Sequence, residues 1–217
     1  LEIQLTAKKI KVLLVDDHSI VRNGIRMMID TVDDIEVTGE AASATKALSI
    51  MQQQSFDIAL LDIELPDSSG LDLLKILRKK YPKLIILMLS IYSEEIYATR
   101  ALKYGASGYM SKDCSIEILV TAIRKAAAGG RYVSPELSEA FATSIGSKKI
   151  SSHTDLSDRE LEVLKQLAKG SSLVDIAAKL HLSSNTVTTY RGRVLDKLGL
   201  KSNAALTRYV IENKLMS

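Results

Sequence analysis

Two rhythms of apolar and polar positions alternate through the first 130 residues. Residues 12–15, 58–61 and 84–89 are unbroken apolar runs, closed by Asp16, Asp62 and Ser90. Short runs of this kind are the pattern of strands buried on both faces of a parallel sheet. A segment near residues 35–38 and the short run 108–110 extend the set to five strands. Between them the apolar positions recur at helical spacing: Val21, Ile25 and Met28 in 19–30, and Leu71, Leu74 and Leu77 in 70–80. Leu119, Ala122, Ile123 and Ala126 form one stripe in 116–128, and further helices are predicted at 45–53 and 94–104. Five successive βα units predict an α/β fold: a doubly wound, parallel, five-stranded sheet with helices on both faces.

Beyond Gly129-Gly130 the strand rhythm stops. Ser134 and Pro135 read as the start of a short helix with Leu137, Phe141 and Ile145 on its apolar edge. Residues 146–155, rich in Ser and Lys and without periodicity, read as a flexible linker. The rest is helical by pattern. Ser157 and Glu160 form a capping box, Gly170 ends that helix, and a second follows at 173–180. After a turn at His181-Leu182-Ser183, a helix from about 185 to 198 stops at Gly199, and Ser202 caps a last one. Two short helices across a tight turn, the second rich in Thr and Arg, form a helix-turn-helix pattern in an all-α, four-helix domain. The expected division is 8–130, a connecting segment 131–154 with its short helix, and 155–217; 217 residues suit two domains of ordinary size.

Charge divides along the same line. Residues 1–130 hold 16 Lys/Arg and 17 Asp/Glu, net −1, whereas residues 131–217 hold 13 and 9, net +4. The excess positive charge therefore belongs to the helical part, where Arg191, Arg193, Lys197 and Lys201 face Asp196 alone across 184–201. A basic helix with a Thr-rich start suits phosphate and base-edge contacts on DNA. No apolar run reaches the roughly 20 residues needed to span a bilayer. The first residues lack a leader's apolar stretch and cleavage site, so a cytoplasmic location without membrane attachment is expected. The chain does not open on Met, so residues 1–7 read as a trimmed or added end. Cys114 is the one cysteine, which excludes an internal disulfide and agrees with a reducing compartment.

The chemistry lies at the strand ends. Parallel strands bring their C-terminal ends to one rim, so Asp16, Asp17 and Asp62 should gather there with the Ser90 hydroxyl and the Lys112 ammonium. Like charges so placed require a proton or a cation among them. Mg²⁺ suits an oxygen-lined rim of this kind. A carboxylate beside it, with a hydroxyl and an ammonium to receive phosphoryl oxygens, is equipped to become an acyl phosphate.

With these residues, Leu65-Pro66 and Tyr109, the segment from about 9 to 128 resembles the receiver domain of two-component response regulators, a flavodoxin-like fold. Asp16-Asp17-His18 followed by Val21-Arg22-Asn23-Gly24 resembles the NarL/FixJ-like branch with LuxR-type output domains. Residues 155–215 resemble that output domain through the stretch from Leu156 to Leu164, then Ile176-Ala177, Leu180, Ser183, Thr186-Val187 and Lys197-Leu198-Gly199. The resemblance implies that Asp62 accepts a phosphoryl group from a sensor histidine kinase, with at most self-phosphorylation and self-dephosphorylation rather than enzymatic turnover. It implies a Mg²⁺ site formed by Asp17, Asp62 and the Glu64 carbonyl, with Asp16 acting through water. Ser90 and Lys112 would hold the phosphoryl oxygens and Tyr109 would switch. Asn185, Thr188, Thr189 and Gly192 would face the major groove, with Tyr190, Arg191 and Arg193 near phosphates and Thr186 and Lys197 in the same DNA-contacting set. Val187, Val194 and Leu198 would face the domain core. Binding to promoter half-sites as a phosphorylated homodimer is likewise implied.

The chain departs from this pattern at Thr188 and Tyr190, where many relatives carry Lys and His, and at Ile91, where Ala or Gly is usual. Two other classes share parts of the pattern. Mg²⁺-dependent phosphohydrolases also use Asp, Ser/Thr and Lys, but with an Asp-x-Asp motif where Glu64 stands here. A DNA-binding protein with a phosphorylation-independent docking module is the other.

Overall fold

The computed structural model describes residues 9–91, 94–144, 153–213 and 215, which fall into two compact units dividing between Ala142 and Thr143. In the first, strands β1 (Ile10–Val15), β2 (Ile35–Ala41), β3 (Ile58–Asp62), β4 (Ile85–Ser90) and β5 (Gly108–Ser111) form one sheet in the order β2-β1-β3-β4-β5. All its pairings are parallel. Helices α1 (Ser19–Ile29), α2 (Ala44–Gln53), α3 (Gly70–Lys80), α4 (Glu94–Lys103) and α5 (Ile116–Ala127) connect and follow the strands, as the periodicity predicts.

The strands are apolar on both sides because both sides are covered. Val12, Leu14, Ile58, Leu60, Leu87 and Leu89 pack with Ile25 and Ile29 of α1 and with Leu119, Ala122, Ile123 and Ala126 of α5. The intervening residues Leu13, Val15, Ala59, Leu61, Ile86 and Met88 point to the other face and are equally buried. Removing each such Leu or Ile from water stabilises the fold by about 1.5–3 kcal/mol. Strand β2 runs three residues past its expected end. Its residues Gly39, Glu40 and Ala41 pair with Leu13, Leu14 and Val15 across a register shift. Gly39 there leaves room for Phe56, whose ring a Cβ would meet at 2.5 Å.

Order 2-1-3-4-5 places the reversal of winding between β1 and β3, the crevice where open α/β sheets carry ligands. The loop leaving β3 is held there from two directions. Asp67 accepts hydrogen bonds from the Ala44 and Thr45 N–H groups at the start of α2, both 2.9 Å. Gly70 donates its N–H to the Ile63 carbonyl at 2.7 Å and presses against the backbone of Asp62 itself. At the opposite end of the sheet, Arg78 of α3 donates to the carbonyls of Pro82, Leu84 and Gly105 and so ties two loops together.

After α5 the chain returns to the sheet edge: Tyr132 donates its N–H to the Ser107 carbonyl at 2.8 Å and bridges to Gly108. Helix α6 (Pro135–Ser144) starts as expected, with the Ser134 hydroxyl accepting from the Leu137 N–H and Leu137 buried. The expected role of Ile145 and residues 146–152 of the linker lie outside the described residues, as does the Phe141 side chain.

In the second unit a 3₁₀ turn at His153–Asp155, read from sequence as linker, is held by hydrogen bonds between His153 and the Tyr209 hydroxyl. Helices α7 (Asp158–Ala168), α8 (Leu173–Leu180), α9 (Ser184–Leu198) and α10 (Asn203–Glu212) follow. Each begins at a serine cap: Ser157 with Glu160 in the expected capping box, Ser172 with Asp175 in another, then Ser183 and Ser202. His181 ends α8 in the left-handed region at φ 54°, and this single strained residue makes the tight turn into α9. Helix α7 packs on both α9 and α10 through Leu161, Leu164, Val187, Val194, Leu206 and Val210, all buried.

Gly70 yields the first test. A Cβ there would lie 1.8 Å from the Asp62 carbonyl oxygen, which is backbone and cannot swing aside. Gly70→Ala is expected to lower unfolding free energy by more than about 2 kcal/mol in urea titrations. A variant as stable as the parent would show that α3 can retreat from β3 freely.

Candidate functional site

Topology delivers the acidic trio to one rim. Asp62 is the last residue of the central strand β3, and Asp16 and Asp17 follow β1 beside it. Ser90 ends β4 and is fully buried; Lys112 follows β5, its N–H donating to the Ser90 carbonyl at 3.0 Å. The Lys112 ammonium meets Asp62 Oδ2 at 2.7 Å and Asp16 Oδ2 at 2.5 Å. Asp62 and Asp16 are 3% and 1% exposed, so this is a buried charge cluster rather than a solvated turn. Asp17 is exposed at the mouth.

Burial pushes the Asp62 carboxyl up to about 6, with Lys112 working against that rise and the Asp16 charge adding to it. Burial opposes the charge on Lys112, but its bonds to Asp16 and Asp62 dominate and hold it above the usual lysine range. Three carboxylates around one ammonium leave an excess of negative charge. Ligand atoms of Asp16, Asp17, His18 and Asp62 all lie within 4.8 Å of one another. This hard, oxygen-rich donor set fits a divalent cation. Glu64 lies on the loop after β3, its side chain exposed, in a bridge with Ser69. Tyr109 is fully buried in β5, in register with Met88 of β4. Ile91, next to Ser90, is 53% exposed.

Two residues of this site escaped the sequence reading. Arg22 of α1 donates to the Asp16 carbonyl at 2.6 Å and pairs with Glu40 at the end of β2, so a cation secures the acidic loop from behind. His18 places its Nδ1 2.8 Å from Asp17 Oδ1. Asp16-Asp17-His18 is visible as a string, but only the fold shows that the imidazole turns back over the acids.

On α9, the residues expected to meet DNA separate into two groups. Asn185, Thr188, Thr189 and Arg193 are exposed, while Tyr190, Arg191 and Gly192 are half-buried. The Thr188 and Thr189 hydroxyls donate to the carbonyls one turn back, Ser184 at 2.9 Å and Asn185 at 3.0 Å, which leaves an oxygen lone pair and a methyl on each available outward. Arg193 lies over the Tyr190 ring at 5.9 Å. The others tie the helix to its own domain. Thr186 shares the Ser183 cap, and Arg191 donates to Asn203 of α10 at 2.7 Å. The Lys197 ammonium meets the buried Glu160 carboxylate of α7 at 2.7 Å. Burial raises the Glu160 pKa, but the bonds from Lys197 and Ser157 outweigh it and hold the group below the usual carboxylate range. Gly192 has open space where a Cβ would stand.

A buried acid–lysine rim on a 2-1-3-4-5 sheet, in one chain with a capped helix-turn-helix, defines a receiver joined to a DNA-reading output domain. The comparisons agree for both halves. Residues 12–124 match the family described as "Response regulator receiver domain", and residues 154–210 match "Bacterial regulatory proteins, luxR family". The chain is 34% identical to the transcriptional regulatory protein MctR of Rhizobium johnstonii, over 96% of each chain. It is 33% identical to the response regulator GacA of Pseudomonas aeruginosa, over 95% of this chain and 98% of that protein. Among solved structures, RcsB from Salmonella enterica serovar Typhimurium, bound to promoter DNA with the phosphomimetic BeF3-, superposes with TM-score 0.75 at 25% identity. That match covers 94% of this chain and all of RcsB. The chain belongs to the NarL/FixJ-type response regulators, which are transcriptional regulators with a LuxR-type DNA-binding domain. Among the described residues no helix is long and apolar enough to cross a membrane.

Two pH experiments follow from the shifts. Asp62 titrates higher when folded, so the folded state binds the extra proton between pH 4 and 6 and stability falls as pH rises through that window. Without divalent cations, the parent should lose about 2–2.5 kcal/mol relative to Asp62→Asn between pH 4 and 7, by urea unfolding. A constant difference would contradict the burial of an ionising Asp62. Glu160 shows the opposite sign: its contribution is present above the ordinary glutamate value and disappears as pH falls through the lower folded one. Glu160→Gln should destabilise the helical unit by about 1–2 kcal/mol at pH 7 and by progressively less in acid, by thermal unfolding. Equal losses at both pH values would mean the Lys197 pair contributes nothing.

Proposed function

We propose that Asp62 is the phosphoacceptor and that its phosphorylation controls DNA binding by α9. The observation that carries this reading is the Lys112 ammonium shared by Asp62 and Asp16 at the end of β3. Asp17, Asp62 and the Glu64 carbonyl would hold Mg²⁺, with Asp16 in support, and the ion would supply charge neutralisation for the incoming phosphoryl group. The donor is the phosphohistidine of a sensor histidine kinase. An Asp62 carboxylate oxygen attacks phosphorus, the P–N bond breaks, and the imidazole leaves with the electron pair. Lys112 and the Ser90 hydroxyl then hold phosphoryl oxygens. Tyr109, packed against β4, responds to the movement of Ser90, so a local change of charge alters the surface of α4 and β5.

The functional division follows the sequence: 8–130 as receiver, 131–154 as connection, 155–217 as output. Asn185, Thr188, Thr189 and Gly192 approach base edges. Tyr190, Arg191 and Arg193 lie toward phosphates, Thr186 holds the helix start at the backbone, and Lys197 adds charge while anchored on Glu160. With Thr188 in place of a cation, discrimination rests more on hydroxyl and methyl contacts. The phosphorylated protein binds paired half-sites as a homodimer in the cytoplasm. Its own chemistry is limited to taking up and losing the phosphoryl group.

One paired assay tests the reading. Incubation with acetyl phosphate and Mg²⁺ is expected to place one acid-labile phosphoryl group on Asp62 and to raise promoter affinity at least tenfold at fixed salt. Asp62→Asn should abolish both. Arg193→Ala should weaken binding on all sequences and lower the salt slope by about 1. DNA affinity unchanged by phosphorylation and by Asp62→Asn would favour a phosphorylation-independent docking role, and turnover of small phosphoesters a phosphohydrolase.

A further inference from the structure

We propose that α9 reads A·T pairs and excludes guanine: Asn185 takes an adenine edge, while Thr188 and Thr189 serve as oxygen acceptors and as methyl contacts for thymine. This rests on the reading of α9 as the helix that enters the major groove, and it names the base pairs selected there. The recognition helix of a helix-turn-helix meets base edges through its N-terminal residues. Guanine offers only acceptors in the major groove, O6 and N7, and its usual partner is an Arg or Lys that donates to both. Residues 184–190, which open α9, contain no Arg or Lys. The cations of this segment all come later, and two are engaged within the domain: Arg191 donates to Asn203 at 2.7 Å, and Lys197 meets Glu160 at 2.7 Å. Arg193 lies over the Tyr190 ring, and Lys201 follows the end of the helix at Gly199.

The side chains that do open the helix carry a chemistry suited to the other pair. A hydroxyl has one proton to give, and Thr188 and Thr189 give theirs to the carbonyls of Ser184 and Asn185, at 2.9 and 3.0 Å. The Thr186 hydroxyl is taken up with Ser183 at the cap. Thr188 and Thr189 are exposed, so each presents accepting lone pairs and a methyl but no donor. Such lone pairs repel guanine O6 and N7, whereas the exocyclic amine of adenine donates to them and the thymine methyl packs on the threonine methyl. Cytosine also offers an amine but has no methyl, so A·T is the pair that satisfies both parts of a threonine. Asn185, exposed at the helix start, carries the donor and acceptor that match adenine N7 and N6. Gly192, one turn beyond Thr188, has open space in place of a side chain, which leaves room for a thymine methyl beside that threonine.

The experiment uses the full chain and a randomised duplex library at fixed salt, with and without acetyl phosphate and Mg²⁺. Bound sequences are selected for the parent, Asn185→Ala and Thr188→Lys, and the base pairs whose preference differs mark where α9 sits. At those positions the parent is expected to select A·T, and Thr188→Lys to bring in guanine. Replacing the selected thymines by deoxyuridine, which lacks only the methyl, should weaken the parent about three- to tenfold. Thr188→Ser combined with Thr189→Ser keeps both oxygens and should abolish that difference. Guanine at those positions in the parent, or equal binding of thymine and deoxyuridine duplexes, overturns this inference while leaving α9 as the reading helix. Selected sequences that no α9 variant alters, or no selection at all, overturn that reading as well.

Discussion

The receiver half is organised by one electrostatic constraint: two buried carboxylates, Asp16 and Asp62, share a single ammonium at the rim of an otherwise apolar sheet. Charges removed from water cost several kcal/mol each unless paired. Lys112 meets that cost only in part, and the unbalanced remainder makes the rim responsive to a cation or to a change of charge at Asp62. Much of the surrounding fold maintains this arrangement. Gly70 fits against the Asp62 backbone, Asp67 fixes the following loop to α2, and Arg22 holds the carbonyl of Asp16. The packed leucines and isoleucines of β1, β3 and β4 supply the rigidity that keeps these oxygens from relaxing apart.

The helical half uses charge in the reverse sense. Its excess is positive, and a buried acid, Glu160, serves as the internal anchor. That carboxylate caps α7 through Ser157 and also holds Lys197 of α9, so the start of one helix and the end of another share a group. Arg191 is drawn toward Asn203 in the same manner. The recognition helix is thus fastened at its C-terminal half, while Asn185, Thr188, Thr189 and Arg193 project from a surface that packing leaves open.

Much of this is legible in the amino-acid sequence. Strands buried on both faces announce themselves as apolar runs, and the terminal Asp and Ser residues of those runs necessarily share an edge once the strands are parallel. Helix starts were legible where a serine precedes a familiar acidic partner, as at Ser157. The Ser172–Asp175 box was not, because Asp at that position is a less distinctive signal than Glu. What stayed hidden were pairings between distant residues. Lys197 reads as a free cation on a basic helix, and nothing near it announces a partner 37 residues earlier. Asp67 capping α2 from 22 and 23 residues away belongs to the same kind. Strand β2 was underestimated because Gly39 and Glu40 break the apolar pattern, although their backbones pair as well as any.

Tyr132 has a consequence for how this molecule can associate. By bonding to Ser107 and bridging to Gly108, it occupies part of the outer border of β5, where unpaired peptide groups would otherwise invite a foreign strand. Extension of the sheet from one molecule into another is thereby obstructed on that side. Any contact made across that border would rest on side chains rather than on shared peptide hydrogen bonds, a mode of contact that can be made and broken without remodelling the backbone.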